Sequence, residues 1–132
     1  MSENDCYLCD ISEKAVIKAR NKGIKAYVCD VDNEKLPFHD GIFDIVTCFE
    51  VLEHVINTDF VLSEINRVLK QNGIFIVSTP NVNSIYSLFA QIFMDYPPIA
   101  SARYKSIHVR DFTLKTLKIA LHINGFEVSK TL

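Results

Sequence analysis

Residues 43–55 read Phe-Asp-Ile-Val-Thr-Cys-Phe-Glu-Val-Leu-Glu-His-Val. The first seven, Phe43–Phe49, form a mostly apolar run of strand length, as expected of a strand buried on both faces. The run ends at Glu50, and Glu50–Val55 reads as a loop or a short helical turn. Strands buried on both faces belong to sheets with helices on either side, so the flanking sequence is expected to alternate strands with helices.

Downstream, Asp59–Leu69 is amphipathic, with Phe60, Val61, Ile65, Val68 and Leu69 on one side of a helix. Asn72-Gly73 stops it, and Ile74–Ser78 (IFIVS) is a second buried strand closed by Pro80. A helix is expected from about Asn83 to Met94, ahead of the break at Pro97-Pro98. Thr113 caps a last helix whose apolar side is Leu114, Leu117, Ile119, Ala120 and Leu121. Gly125 ends that helix, and Phe126–Ser129 begins a last strand.

Upstream, Ile24–Cys29 is a strand ending at Asp30, and Leu36-Pro37-Phe38 with Asp40-Gly41 marks a loop. Ser12 caps a helix with Glu13 in its first turn, Ala15, Val16 and Ala19 at helical spacing and Gly23 at its end. Cys6–Cys9 is a short strand ending at Asp10. The order β-α-β-β-α-β-α-α-β predicts an α/β fold with a mainly parallel sheet and helices on both faces.

With 132 residues and 48% hydrophobic content, one domain over residues 1–132 is expected. The net charge of -2 supplies no basic surplus, which argues against a nucleic-acid binder or an anionic-membrane binder. The N-terminal MSENDCYLCD does not read as a signal peptide. The apolar region 85–100 is interrupted by Gln91, Asp95, Pro97 and Pro98, so no transmembrane segment is expected and the cytoplasm is the default location. Cys6 and Cys9 form a CxxC. In a strand that spacing sends the side chains to opposite faces, so they, Cys29 and Cys48 read as buried structural thiols rather than as a metal site.

Ligands of parallel sheets bind outside the carboxyl ends of the strands. Asp10, Asp30 and Glu50 each follow a strand. A carboxylate at Asp10 can accept two hydrogen bonds from a ribose diol; it can equally help to cap the helix at Ser12. At Asp30 a carboxylate can accept from an exocyclic amine while the Val31 N–H meets a ring nitrogen. Taken alone, a plain turn ahead of Asn33-Glu34 is the simpler reading there. Glu50 and His54 would share a face if their segment were helical, and His54 could take a proton from a substrate hydroxyl or amine. Glu50, Glu53 and His54 could hold a metal, but the spacing is not that of a zinc motif and no metal is expected. His39 reads as exposed and His122 as a helix-end residue. His108 and Arg110 could face the cleft; alternatively Arg110 anchors its loop to a carboxylate. The stretch SIYSLFAQIFMDYPPIA, residues 84–100, reads as core packing before a lid or a membrane contact.

Four segments, YLCDISEKAVIKAR, VCDVDNEKLPFHDGIFDIVTCFEVLEHV, INRVLKQNGIFIVSTPN and HVRDFTLKTLKIALHINGFEV, together resemble the class I S-adenosylmethionine-dependent methyltransferases, and within them the branch acting on small molecules such as quinones, lipids, sugars and natural products. The resemblance implies a Rossmann-like fold and S-adenosylmethionine as cofactor. It implies that Asp10 binds the ribose with Ile11 packed on the adenine, that Asp30 binds the adenine amine and Val31 the ring, and that Phe49 and Glu50 sit near the methionine portion. His54, His108 and Arg110 fall on the substrate side, with His54 the candidate catalytic base. Methyl transfer to an activated carbon rests largely on positioning, so an obvious catalytic dyad is not required.

The family pattern starts with a strand and a glycine-rich turn, E/D-x-G-x-G-x-G. Nine residues precede Asp10 here and none is glycine; the four glycines are Gly23, Gly41, Gly73 and Gly125. The expectation is therefore an N-terminally truncated domain with impaired cofactor binding and weak or no activity in isolation. The missing strand would lie between those ending at Asp10 and Phe49. Either the two pair directly, or a second copy or partner chain completes the sheet, or the chain is a fragment of a longer product. A non-catalytic methyltransferase-like scaffold or partner subunit is the alternative function. A nucleotide-binding oxidoreductase would need the same glycines without the EVLEHV match.

Overall fold

The computed structural model describes residues 5–81, 92 and 109–131. Within them lie β1 (Tyr7–Asp10), α1 (Glu13–Arg20), β2 (Lys25–Val28), β3 (Phe43–Phe49), α2 (Thr58–Val68), β4 (Leu69–Ser78) and α3 (Leu114–Ile123). The helix expected at 83–94 and the reading of 84–100 lie outside the described residues, apart from a helical Ile92.

Each helix begins where its cap places it. Ser12 accepts the Ala15 N–H at 3.4 Å, with Glu13 in the first turn and Lys18 and Arg20 in the last. At Thr113 a full capping box forms, its hydroxyl accepting the Thr116 N–H at 3.1 Å while the Thr116 hydroxyl accepts the Thr113 N–H at 2.9 Å.

The strands form two parallel pairs. In the first, Tyr7, Leu8, Cys9 and Asp10 of β1 stand opposite Lys25, Ala26, Tyr27 and Val28 of β2. There α1 buries Val16 and Ala19 on Ala26, Leu8 and Ile24. In the second, Ile45–Phe49 of β3 runs beside Ile74–Ser78 of β4. The start of β4 is irregular. Phe43 pairs with Leu69 but Ile45 with Ile74, and the extra residues are absorbed around Asn72, which adopts φ 65°. The strand thus starts at Leu69, earlier than the sequence indicates: Leu69 is already extended and follows α2 without a loop.

The larger core joins α2, β3, β4 and α3 through Leu52, Val55, Val61, Leu62, Ile65, Leu69, Phe112 and Leu121. Each fully buried side chain of this size contributes about 1.5–3 kcal/mol of burial free energy. Val46 and Cys48 of β3 and Phe75 and Val77 of β4 face this core. The alternate residues Ile45, Phe49, Ile74 and Ile76 are exposed. The expected burial of β3 on both faces is thus met on one face only among the described residues.

Two further expectations are corrected, and one of the three alternatives for the missing strand drops out. The strands β1 and β3 do not pair with each other among the described residues, so the sheet does not close directly. Instead both border one cavity of about 1090 Å³. Phe126–Ser129 is not a strand. A strand exists only with a ladder partner, and a second cavity, of about 1050 Å³, is lined both by β4 and by residues 125–131. On α3, Leu117, Ala120 and Leu121 meet the core, but Leu114 and Ile119 are exposed. The end of α3 is tied to α2 by Asn66 Nδ2 donating to the Asn124 carbonyl at 2.9 Å and Asn124 Nδ2 donating to Asp59 at 3.0 Å.

The loop from Leu36 to Phe43 is fastened from α2 and from β1. Arg67 donates to the carbonyls of Leu36 and Phe38 and to Asp40. Phe38 packs edge-on against Tyr7, Tyr27 and Phe43 with ring centroids 4.9–5.6 Å apart.

Candidate cofactor site

The carboxyl ends of β1, β2 and β3 open onto the cavity bordered by β1 and β3. Asp10, Ile11, Asp30, Val31, Phe49, Glu50 and His54 all line it. All six residues expected at the cofactor, and the candidate base, are thus brought together from three strand ends.

Asp10 meets its capping role and leaves an oxygen open. Its Oδ1 accepts the Ser12 N–H at 2.8 Å, and its Oδ2 accepts no hydrogen bond among the described residues. Ile11 beside it is exposed. Asp30 builds a turn: Oδ1 accepts the Asp32 N–H at 3.1 Å, Oδ2 accepts Asn33 Nδ2 at 2.9 Å, and its carbonyl accepts the N–H groups of Asn33 and Glu34. Each carboxylate oxygen retains a second lone pair. The Val31 N–H has no hydrogen-bond partner among the described residues.

Glu50 is held at φ 53°, in the left-handed region, which for a side chain of this kind costs roughly 1–2 kcal/mol. Two contacts with the end of β4 hold it there. Its N–H donates to the Ser78 carbonyl at 3.1 Å, and the Ser78 hydroxyl donates to Glu50 Oε1 at 2.7 Å. Such strain concentrates at functional positions. The segment Glu50–Val55 is a turn rather than a helix, which corrects the helical-face argument for Glu50 and His54.

The His54 N–H donates to the Val51 carbonyl at 2.9 Å, and its Nε2 lies 4.0 Å from Glu53 Oε1. Glu53 is buried, with 2% exposure, and its Oε2 has no hydrogen-bond partner among the described residues. Arg110 does not line the cavity. Its Nη2 donates to the Ile56 carbonyl at 3.3 Å, so it anchors its loop to a peptide oxygen rather than to a carboxylate. His108 lies outside the described residues. Among the described residues, no group of three or more His, Cys, Asp or Glu is placed to hold a metal ion. His39 and His122 are exposed.

Sequence reasoning missed two components. Cys9, Cys29 and Cys48 also line the cavity. Burial, with Cys29 nearby as a smaller cause, pushes the Cys9 thiol up to about 12. Burial, then Glu53, pushes Cys48 up to about 11. Protonated thiols behave here as small apolar wall residues. The second component, Asp32, reaches the far side of the site from the loop after β2 and carries no local motif.

The donors and acceptors present fit the nucleoside half of a cofactor: a carboxylate with a free oxygen for a ribose diol, a second for an amine, a free N–H for a ring nitrogen, and apolar Ile11 for a base. None of Gly23, Gly41, Gly73 or Gly125 lines the cavity, so among the described residues no glycine backbone cradles the opposite end. In a parallel α/β chain the carboxyl ends of the strands, where these carboxylates stand, are where ligands bind.

The chain belongs to the methyltransferase domain family, whose sequence model matches residues 2–77. Its class is that of the Rossmann-like, S-adenosylmethionine-dependent methyltransferases, with S-adenosylmethionine as the cofactor. It is 29% identical over 123 residues to a probable S-adenosylmethionine-dependent methyltransferase of Mycolicibacterium smegmatis, covering 93% of this chain and 44% of that one. It is 36% identical over 84 residues to the ubiquinone biosynthesis O-methyltransferase of Rickettsia prowazekii, covering 64% of this chain and 33% of that one. The chain thus spans less than half the length of these curated relatives. The fold is similar to that of an S-adenosylmethionine-dependent methyltransferase, possible histamine N-methyltransferase, from Thermotoga maritima. There the TM-score is 0.75 at 24% identity, over 93% of this chain and 55% of that one. It is also similar to a methyltransferase solved in complex with the Trm112 activator of Haloferax volcanii, with TM-score 0.73 at 22% identity over 94% and 51%. At these identities the structural likenesses establish the fold.

Proposed function

We propose that this chain forms the nucleoside-binding and acceptor-facing part of a methyltransferase that acts on a small or lipid-like acceptor. The observation that carries this reading is the convergence of Asp10, Ile11, Asp30, Val31, Phe49, Glu50 and His54 on one cavity. The quinone-biosynthesis methyltransferases among its relatives support an acceptor of that kind.

In this reading Asp10 Oδ2 takes a ribose hydroxyl while Oδ1 stays on Ser12. Ile11 packs on the adenine, Asp30 accepts from its amine and the Val31 N–H donates to its ring. When bound, the cofactor supplies a methyl carbon already activated on a sulfonium sulfur. Glu50 and Phe49 flank that end, and the apolar wall with its protonated thiols excludes water. His54 takes the proton of an acceptor hydroxyl or amine, and the nearby Glu53 carboxylate stabilises the resulting imidazolium. His108 belongs to the acceptor side, and Arg110 holds its own segment to the turn bearing His54. We further propose one domain over residues 1–132 and a cytoplasmic location. No helix among the described residues is long and apolar enough to cross a membrane. A second copy or a partner chain would supply the strand that the facing edges of β1 and β3 accommodate.

The absence of any glycine from the cavity lining favours a second reading, a methyltransferase-like scaffold or partner subunit without activity of its own. Calorimetric titration with S-adenosylhomocysteine decides between them. Weak binding that Asp10→Ala removes supports the enzyme site. Absence of binding assigns the chain to the scaffold or to a site completed by a partner.

A further inference from the structure

Asp32 sits on the loop after β2, two residues beyond Asp30. Its Oδ2 accepts the Ile56 N–H at 2.8 Å and its Oδ1 accepts the Asn57 N–H at 2.7 Å. These amides immediately precede α2, where a carboxylate is also favoured by the helix dipole. The helix does not need Asp32 as its cap, because Asn57 Oδ1 already accepts the Phe60 N–H at 3.2 Å. Asp32 instead joins two loops across 24 and 25 residues of sequence.

The turn it grips is also gripped from the other side. The Ile56 carbonyl accepts Arg110 Nη2 at 3.3 Å, and the Glu53 carbonyl accepts the N–H groups of Val109 and Arg110 at 2.8 and 3.2 Å. The Ile56 residue therefore has its N–H on Asp32 and its C=O on Arg110. An unbroken series of bonds runs from Asp30 through the Asp32 N–H, the Asp32 carboxylate and Ile56 to Arg110. His54, the candidate base, lies within this turn.

From this we infer that Asp32 is a positioning residue that relays occupancy of the nucleoside loop at Asp30–Val31 to the turn bearing His54 and to the Arg110 segment. The inference rests on the nucleoside-site reading above. Substitutions within such bonded networks change coupling between sites by about 2- to 30-fold. Asp32 lines the same cavity, but both of its carboxylate oxygens are engaged by the Ile56 and Asn57 amides. It sets where the acceptor-side groups stand once the nucleoside loop is ordered.

The test uses the 132-residue chain, with adenosine as the probe and backbone amide NMR shifts as the readout. Addition of adenosine is expected to shift Val31 and also Ile56, Asn57 and Arg110. Arg110 lies outside the cavity lining, so its amide reports the relay rather than the ligand. In Asp32→Ala the Val31 shift is expected to remain while those at Ile56, Asn57 and Arg110 disappear. Shifts at these three that persist in Asp32→Ala, or that never occur in the unaltered chain although Val31 responds, overturn the relay and leave the nucleoside site standing. No shift at Asp30 or Val31 in the unaltered chain overturns the nucleoside reading and the relay together. If Asp32→Ala does not keep the native spectrum, Asp32→Asn decides in its place. It keeps one acceptor for two N–H donors, so the Ile56, Asn57 and Arg110 shifts must shrink, and unchanged shifts overturn the relay.

Discussion

Arg67 and Glu64 stand one turn apart on α2, with Arg67 Nη2 2.7 Å from Glu64 Oε2 and Nε 2.9 Å from Oε1, a two-pronged pair. Neither side chain is spent on the helix alone. Glu64 Oε2 also accepts the Leu36 N–H at 2.9 Å, and Arg67 reaches the Leu36 and Phe38 carbonyls and Asp40. The pair is the fastening of the loop that brings Phe38 onto Tyr7 and Tyr27.

Arg67→Ala should therefore destabilise the chain by roughly 3 kcal/mol, because it leaves the buried Glu64 carboxylate without its cation. Arg67→Lys should recover part of this, since an ammonium cannot make the paired bonds of a guanidinium. Urea unfolding followed by circular dichroism measures both. Equal stability of the Ala variant and the unaltered chain would contradict the assignment.

The same pair sets an acid limit. The hydrogen bonds from Arg67 hold the Glu64 carboxyl below its ordinary value of 4.5, with the Leu36 N–H adding to the effect against desolvation. A carboxyl with a lowered folded-state pKa stabilises the fold fully above its unfolded pKa and loses that contribution as pH falls through the folded one. Stability should fall from about pH 4.5 downward, and Glu64→Gln should flatten that part of the profile.

Gly73 is fixed by space rather than by its torsion. A Cβ there would meet Leu69 Cδ2 at 2.8 Å, the Lys70 carbonyl at 2.9 Å and the Phe43 carbonyl at 3.2 Å. Two of these are backbone atoms that cannot swing aside. Gly73→Ala should cost about 1–3 kcal/mol by overpacking, read as a shift of the urea midpoint with unchanged slope.

Thiol chemistry should separate the four cysteines. Cys6 is exposed, whereas burial pushes Cys9 up to about 12 and Cys48 up to about 11 and also raises Cys29. Since the thiolate is the nucleophile, iodoacetamide near pH 8 should label Cys6 quickly and the other three slowly. All four should react in denaturant. Mass spectrometry after brief exposure distinguishes this from uniform labelling.

Glu50 offers a variant that uncouples stability from binding. Glu50→Gly removes the Ser78 contact but relieves φ 53°, so the two effects oppose and stability should move by less than about 1 kcal/mol. Binding of S-adenosylhomocysteine, where it occurs, should weaken at least about tenfold if Glu50 contacts the cofactor, a loss of 1.4 kcal/mol. Calorimetry and thermal melting on the same sample read both.

What the sequence makes legible is local. Ser12 and Thr113 announce helix starts because capping involves neighbours three residues apart. Asp10, Asp30 and Glu50 announce a site because strand ends of a parallel sheet share one side. What it hides is non-local or conditional. The grip of Asp32 on Ile56 and Asn57 spans two loops, and the turn at Glu50 depends on Ser78 of another strand. Leu69 looks helical because its apolar spacing continues that of α2, yet its backbone is already extended. Phe126–Ser129 has a strand's composition, but pairing needs a neighbour that composition does not disclose.

The two strand pairs share no ladder hydrogen bond among the described residues, and each closes over a short stretch, Tyr7 with Lys25 and Ile45 with Ile74. Short closures form early and locally. Among the described residues, what joins the two pairs is side chains: Tyr7 meets Phe38 and Phe43, Tyr27 meets Phe38, and Asp32 holds Ile56 and Asn57. The cooperativity of the chain therefore rests on these few contacts, and Phe38→Ala should let the amides of Leu8 to Val28 exchange with deuterium at a lower free energy than those of Val46 to Val77.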